Sequence, residues 1–167
     1  MPPELRIRPE GEDDRTGIRA LHLAAFGRPD EADLVERLRR DDDLVLGLVA
    51  TSEPTVAGHV AFSRLHVGDG VLKATALAPL SVTPDWRGRG VGGRLVREAL
   101  DRLSESEDLV LVFGDPVFYG PLGFSRDAAA GLRTPYDGPY QLARPLSRAG
   151  REAEGEVRYP AAFTMLS

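Results

Sequence analysis

The stretch from Leu80 to Leu103, LSVTPDWRGRGVGGRLVREALDRL, does most to limit what this chain can become. A short apolar strand ends near Val82, a turn follows, and glycines crowd at Gly88, Gly90, Gly92 and Gly93. Val91, Leu95, Ala99 and Leu103 then recur four apart, widened by Val96 and Leu100, while Arg94, Arg97, Glu98, Asp101 and Arg102 fall opposite. That spacing predicts an amphipathic helix with one face on a core and the other in water. The first turn of a helix has unpaired N–H groups and a partial positive charge. Glycines let an anion approach that backbone, and Arg87 and Arg89 add charge, so strand, turn and helix start together form an anion cradle.

The rest of the chain reads as strands and helices around this unit. Leu5 to Arg8 alternates apolar and charged, a short first strand stopped by Pro9. Asp13 and Asp14 favour a helix start, with Ile18, Leu21, His22, Ala25 and Phe26 on one face. Gly27-Arg28-Pro29 breaks that helix. A second follows, with Leu34, Val35 and Leu38 as its apolar stripe and Glu31, Glu36, Arg37 and Arg39 outside. Asp41-Asp42-Asp43 reads as a solvated turn rather than a metal or amine site. Leu44–Thr51, Thr55–Val67 and Val71–Val82 are three strands joined by tight turns, an antiparallel meander. Pro79 lies inside the third, where it cannot donate to a ladder, so a bulge or parting of strands is expected there. Leu109 to Phe113 is a compact strand parallel to the third, reached through the central helix. Asp115 as cap and Pro116 at the first helical position start a short helix through Tyr119. Residues 131–133 and 140–144 read as a closing strand pair; 155–160 is ambiguous.

Composition excludes several classes. The 167 residues suit one domain, 1–167, with a sizeable core. With 26 acidic and 21 basic side chains the net charge is −5, which argues against a general nucleic-acid surface. The absence of cysteine removes disulfides, thiolate zinc sites and a covalent cysteine mechanism. The N-terminal MPPELRIRPEGEDD lacks a basic region followed by an apolar one, and no apolar run approaches a membrane span, so a cytoplasmic protein without a membrane partner is expected.

Two nucleotide motifs fit the glycine turn. Gly88-x-Gly90-x-x-Gly93, with Asp115 at the end of the next strand, spells a dinucleotide fingerprint. That fingerprint follows its strand directly and opens a repeated βαβ sheet, whereas here several residues separate Val82 from Gly88. The other reading is Arg87-x-x-Gly90-x-Gly92. Taken with Tyr119-x-x-x-Gly123-Phe124, the wording Gly114 to Gly120, Phe26-Gly27-Arg28 and Gly58-His59-Val60, it resembles the GNAT superfamily of acetyl-CoA-dependent N-acetyltransferases. Together these motifs look like an uncharacterised bacterial subgroup labelled predicted N-acetyltransferases. The resemblance spans nearly the whole chain. It implies a single α/β (α+β) domain in the order β-α-α-β-β-β-α-β-α-β-β, with a mixed central sheet, an antiparallel N-terminal meander and strands splayed at the cofactor site. Many members carry an asparagine before the last helix for the pantetheine arm; this chain has Asp115-Pro116 there and no asparagine anywhere.

The resemblance implies transfer of an acetyl group from acetyl-CoA to a primary amine by direct attack on the thioester, without a metal. Leu80, Ser81 and Val82 would hold the pantetheine, with the Val82 N–H on the thioester oxygen. Arg87, Gly88, Arg89, Gly90, Val91, Gly92 and Gly93 would hold the pyrophosphate. Tyr119, also at the cofactor, would protonate the leaving thiolate as general acid. Glu31 is a weak candidate base and Asp33 another, though exposed helix carboxylates are more often surface residues. His59 and His66 lie at odd separation on one strand, hence on opposite faces, and do not read as a pair. The acceptor is left open between a small-molecule amine and a protein amine, as is a homodimer. The competing reading is a non-catalytic acyl-CoA-binding module or sensor of the same fold.

Overall fold

In the computed structural model, residues 4–136 and 138–165 are described. The strands are β1 (Arg6–Pro9), β2 (Leu44–Ser52), β3 (Thr55–Val67), β4 (Ala74–Val82), β5 (Leu109–Phe113), β6 (Leu132–Arg133), β7 (Gln141–Pro145) and β8 (Gly155–Arg158). The helices are α1 (Arg15–Phe26), α2 (Asp30–Arg40), α3 (Val91–Leu103) and the single turns α4 (Pro116–Tyr119), α5 (Arg126–Ala129) and α6 (Arg148–Arg151). The sheet runs β1-β2-β3-β4-β5-β7, with β8 paired to β3 and β6 to β8. The expected meander is present as antiparallel β2–β3 and β3–β4 pairs, and β4–β5 is parallel.

Both faces of the sheet are covered, which explains why its central strands read as nearly continuous apolar runs. On one face Val91, Leu95, Val96, Ala99, Leu100 and Leu103 of α3 pack against Leu48, Ala50, Val60, Phe62 and Leu77. On the other, Ile18 of α1 and Val35 of α2 meet Val49 and Ala61, and Leu34 and Leu38 join a cluster with Leu65, Leu111 and Phe163.

Several expectations change. Asp14 does start a helix, as the N-cap of α1 at Arg15, but a 3-10 turn, Glu12–Asp14, precedes it, and the Asp14 carboxylate accepts from the Gly11 N–H (2.7 Å) and from Arg8 (2.6 Å). β4 starts at Ala74, and Val71 is 80% exposed in the preceding turn. β6 and β7 do not pair with each other: β7 lies antiparallel on β5, and β6 lies parallel to β8, the segment whose pattern was ambiguous. Phe26 leaves the buried stripe of α1 and is 41% exposed. Glu31 and Arg39, expected outside α2, are largely buried, each in an ion pair. The acid triplet is a turn, with Asp41 beside Arg37 and the Asp43 carbonyl accepting from the Arg64 N–H.

Leu95 is fully buried between α3 and the sheet. Leu95→Ala should destabilise by about 2–5 kcal/mol, because the cavity adds to the lost transfer energy. Val71→Ala, at the exposed turn, should stay within about 0.5 kcal/mol. Urea unfolding of both variants checks the contrast.

Candidate active site

The site begins with a defect in the sheet. Val60 opposes Leu80 and Phe62 opposes Leu77, so β4 carries an extra residue around Ala78–Pro79, where proline offers no N–H. Beyond that bulge β4 and β5 part: their pairing covers only Ala74–Ala76 against Leu109–Leu111. The Thr83 N–H donates to the Ala57 carbonyl at 2.8 Å. Antiparallel pairs alternate, so His59 and Ser81 also exchange bonds, while the backbone groups of Leu80 and Val82 point away from β3 into the gap. The Val82 carbonyl there accepts from Arg87 Nε at 3.0 Å. The splayed strands expected from Pro79 are therefore present, with two residues of backbone facing the opening.

Next to that gap the glycine loop closes onto α3. Gly88 (φ 74°) and Gly90 (φ 76°) adopt the left-handed conformation, and a Cβ at either would meet no atom within 4 Å. These positions need glycine for backbone reasons and leave open space in front of the first N–H groups of α3. Arg89 lies over the Trp86 ring at 5.0 Å. The Val91 side chain belongs to the core, so only its backbone faces the loop. The dinucleotide reading loses its support here: β4 ends at Val82, well before Gly88, and among the described residues β4–β5 is the one parallel pair of the six-strand path.

A cavity of about 400 Å³ lies where the strands separate, walled by Pro79 and Leu80 of β4, Leu111–Phe113 of β5, Phe26, Glu31 and Tyr119. Tyr159, Tyr136 and Phe163 close its far side. Asp115 caps α4 by accepting from the Val117 N–H at 2.9 Å. Tyr119 at the other end of α4 is 8% exposed and packs edge-on against Phe118 and Phe124. A Cβ at Gly114 would overlap its ring, so backbone and phenol fit directly together. Burial pushes the Tyr119 phenol up to about 12, and among the described residues its hydroxyl has no hydrogen-bond partner. It is a neutral donor on a residue that lines the cavity. Glu31 lines the wall, but both its oxygens are taken by Arg28, Nε at 3.0 Å and Nη2 at 2.6 Å. Asp33 pairs with Arg19 at 2.8 Å, away from the cavity.

A second polar group was not legible as a unit. His22 of α1 and His59 of β3 are fully buried. His22 Nδ1 lies 2.9 Å from Ser81 Oγ, and His22 Nε2 lies 2.9 Å from His59 Nδ1. His59 Nε2 is 2.8 Å from Glu10 Oε1, and Arg39 Nε donates to Glu10 Oε2 at 2.6 Å. A Cβ at Gly47 would overlap the Glu10 carboxylate. Burial pushes His22 down to about 3, helped by His59 and Arg39 and opposed by Glu10. Burial also lowers His59, against the pull of Glu10. Burial alone would raise Glu10, but hydrogen bonds from His59 and Arg39 outweigh it and hold the carboxyl below its ordinary value. Ser81, expected as a cofactor contact, thus turns its side chain to His22. His66 is exposed and takes no part, as the odd spacing implied.

Two neutral imidazoles in the fold imply a pH dependence. In the unfolded chain they take up protons near pH 6.5, so below that value the unfolded state binds more protons. Stability should fall as pH drops from about 6.5, each imidazole adding a slope of at most about 1.4 kcal/mol per pH unit. Urea unfolding at about pH 7.5 and about pH 5 measures it, and His22→Gln, which cannot be charged, should flatten the difference.

Comparisons with known proteins agree with this geometry. The family described as "Acetyltransferase (GNAT) domain" matches residues 6–126. The uncharacterized N-acetyltransferase YhbS of Escherichia coli K12 is 40% identical over 158 residues, covering 92% of this chain and 95% of that protein. The crystal structure of Escherichia coli YhbS in complex with CoA superimposes with a TM-score of 0.91 at 36% identity, covering 98% of this chain and 93% of that one. A GNAT family acetyltransferase from Brucella melitensis, in complex with acetyl-CoA, gives 0.83 at 30% identity over 96% and 99% of the two chains. With the splayed β4–β5 pair and the glycine loop already in place, this chain belongs to the GNAT family of N-acetyltransferases.

Proposed function

We propose that the protein moves the acetyl group of acetyl-CoA to a primary amine by direct attack on the thioester. The observation that carries this reading is the backbone of Leu80 and Val82, which no strand pairs on the β5 side, next to a cavity that Leu80 and Tyr119 line, beside a helix start fronted by Gly88 and Gly90. The complexes of the related YhbS and Brucella proteins with CoA and acetyl-CoA support the same ligand here. An extended pantetheine arm lies along β4 as an added strand would. The pyrophosphate meets the N–H groups from Gly88 to Gly93, with Arg87 just before the loop and Arg89 within it. Asp115, held as a helix cap, stands at the level where many relatives place an asparagine.

In the reaction the amine nitrogen bonds to the carbonyl carbon, and the Val82 N–H donates to the carbonyl oxygen as it gains charge. The C–S bond then breaks, the nitrogen gives up its extra proton, and the sulfur takes a proton from Tyr119, which regains one from solvent when the products leave. A phenol near 12 is a weak acid for a thiol whose ordinary value is about 8.5. Burial disfavours the thiolate as it does the phenolate, so the cavity raises the thiol in the same direction.

Gly90→Val should abolish measurable acetyl-CoA affinity while the protein stays folded, because a β-branched residue strains the left-handed turn and fills the space before α3. Calorimetric titration checks this, and unchanged affinity would remove the pyrophosphate from this loop. Tyr119→Phe keeps the ring and should lower turnover by about a hundredfold to ten-thousandfold with acetyl-CoA affinity unchanged. Thiol release with a panel of amines reads it. A loss under about threefold returns Tyr119 to packing alone, and an inactive wild type that is still stabilised by CoA indicates a binding module.

A further inference from the structure

We propose that Ser81, backed by His22, His59 and Glu10, is the base that takes the proton from the acceptor amine and passes it to the opposite edge of the sheet. This rests on the acetyl-transfer reading of the cleft. The sense of the chain follows from its buried end. Glu10, ionised beside Arg39, can only accept, so His59 Nε2 carries the proton it donates. A neutral His59 then has a bare Nδ1, which must accept from His22 Nε2–H. A neutral His22 has a bare Nδ1, which must accept the Ser81 hydroxyl proton. One carboxylate therefore fixes both tautomers and aims all three donors the same way. The Ser81 oxygen is left presenting lone pairs only.

Position suits the task. Ser81 sits between Leu80 and Val82, the two residues whose backbone faces the gap, and is 5% exposed. Phe26, which stacks on His22 at 6.2 Å, forms part of the cavity wall, so the head of the chain lies directly behind that wall. In this proposal the amine lies within one bridging water of the Ser81 oxygen. At the other end Glu10 and Arg39 line a surface depression of about 370 Å³ with Arg15 and Asp42, open to solvent. The charged groups that bear on the two rings are Glu10, Arg39 and, for His59, Asp14.

The proton balance is closed. As the N–C bond forms, an ammonium proton passes to Ser81 Oγ while the serine proton moves to His22 Nδ1. The His22 Nε2 proton moves to His59 Nδ1, and the His59 Nε2 proton moves to Glu10, which releases it to water. Because burial disfavours a resident imidazolium, the shift runs through both rings without stopping on either. Each ring ends with its proton on Nδ1, and the chain resets after the product leaves by the reverse shift, Glu10 taking up a proton from water and Ser81 giving one to water in the emptied cleft.

Turnover of wild type, Ser81→Ala and Glu10→Gln, measured against pH with an accepted amine, tests the assignment. Both variants should lose about a hundredfold or more in kcat near pH 7 and keep acetyl-CoA affinity within about threefold. The loss should shrink as pH rises and hydroxide takes over the role. Nitrogen-15 NMR of the wild type gives a readout that needs no turnover: both rings should be neutral with the proton on Nε2 from about pH 6 to about pH 8.5. A resting ring protonated on Nδ1, variants as active as wild type, or a pH-independent loss would overturn the assignment. So would acetyl-Ser81 found by mass spectrometry, which would make the serine a nucleophile. If the wild type turns over no amine, the acetyl-transfer reading itself fails; an active wild type with unaffected variants removes only the base.

Discussion

Everything at this site depends on β4 failing to stay paired. A strand in the middle of a sheet normally spends its N–H and C=O groups on two neighbours. Here the extra residue at Ala78–Pro79 turns β4 away from β5 after three residue pairs, while β3 keeps its hold through His59–Ser81 and Ala57–Thr83. The result is a cleft floored by apolar side chains and edged by backbone that no neighbouring strand pairs. α3 braces it from one face with a fully apolar stripe, and α1 and α2 brace it from the other. Such a cleft is stable because its cost falls on a few exposed peptide groups, whereas the apolar contacts on both sheet faces continue uninterrupted beneath it.

The buried polar chain from Ser81 to Arg39 joins β4, α1, β3, the turn after β1 and α2. Buried histidines without partners would weaken a core of this kind. Here each ring nitrogen has one, and Gly47 supplies the room that the carboxylate at the end requires. Breaking such a network at one member leaves the next atom unpaired, so its members act together rather than as independent contacts.

Much of this was legible in the residues. The 2-period and 3.6-period patterns carry α3 and the meander, Pro79 announces the parting of strands, and Asp115-Pro116 announces α4. The glycine loop is legible because all its parts lie within a few positions. The polar chain is not: Glu10, His22, His59 and Ser81 are separated by long stretches, and no local spacing joins them. Two signals did point towards it, a histidine in the apolar stripe of α1 and another inside a strand buried on both faces, since buried polar groups require partners. Glu31 was misplaced because an i,i+3 arginine lets a carboxylate sit in an otherwise apolar wall. β6, β7 and β8 are too short to display a period, so their pairing depends on tertiary contacts that the sequence does not announce.

Unpaired strand edges invite other chains to add to them, and proteins usually protect such edges with charge, proline or a covering element. The edge at Leu80–Val82 is protected differently, by being recessed inside the sheet. Its neighbour β5 is only a few residues away along the same sheet, and helices close both faces. Another protein's β-sheet is too broad to reach these groups, but a single extended chain is thin enough to slide in. The fold can therefore keep a permanently open hydrogen-bonding edge in solution without becoming a nucleus for aggregation.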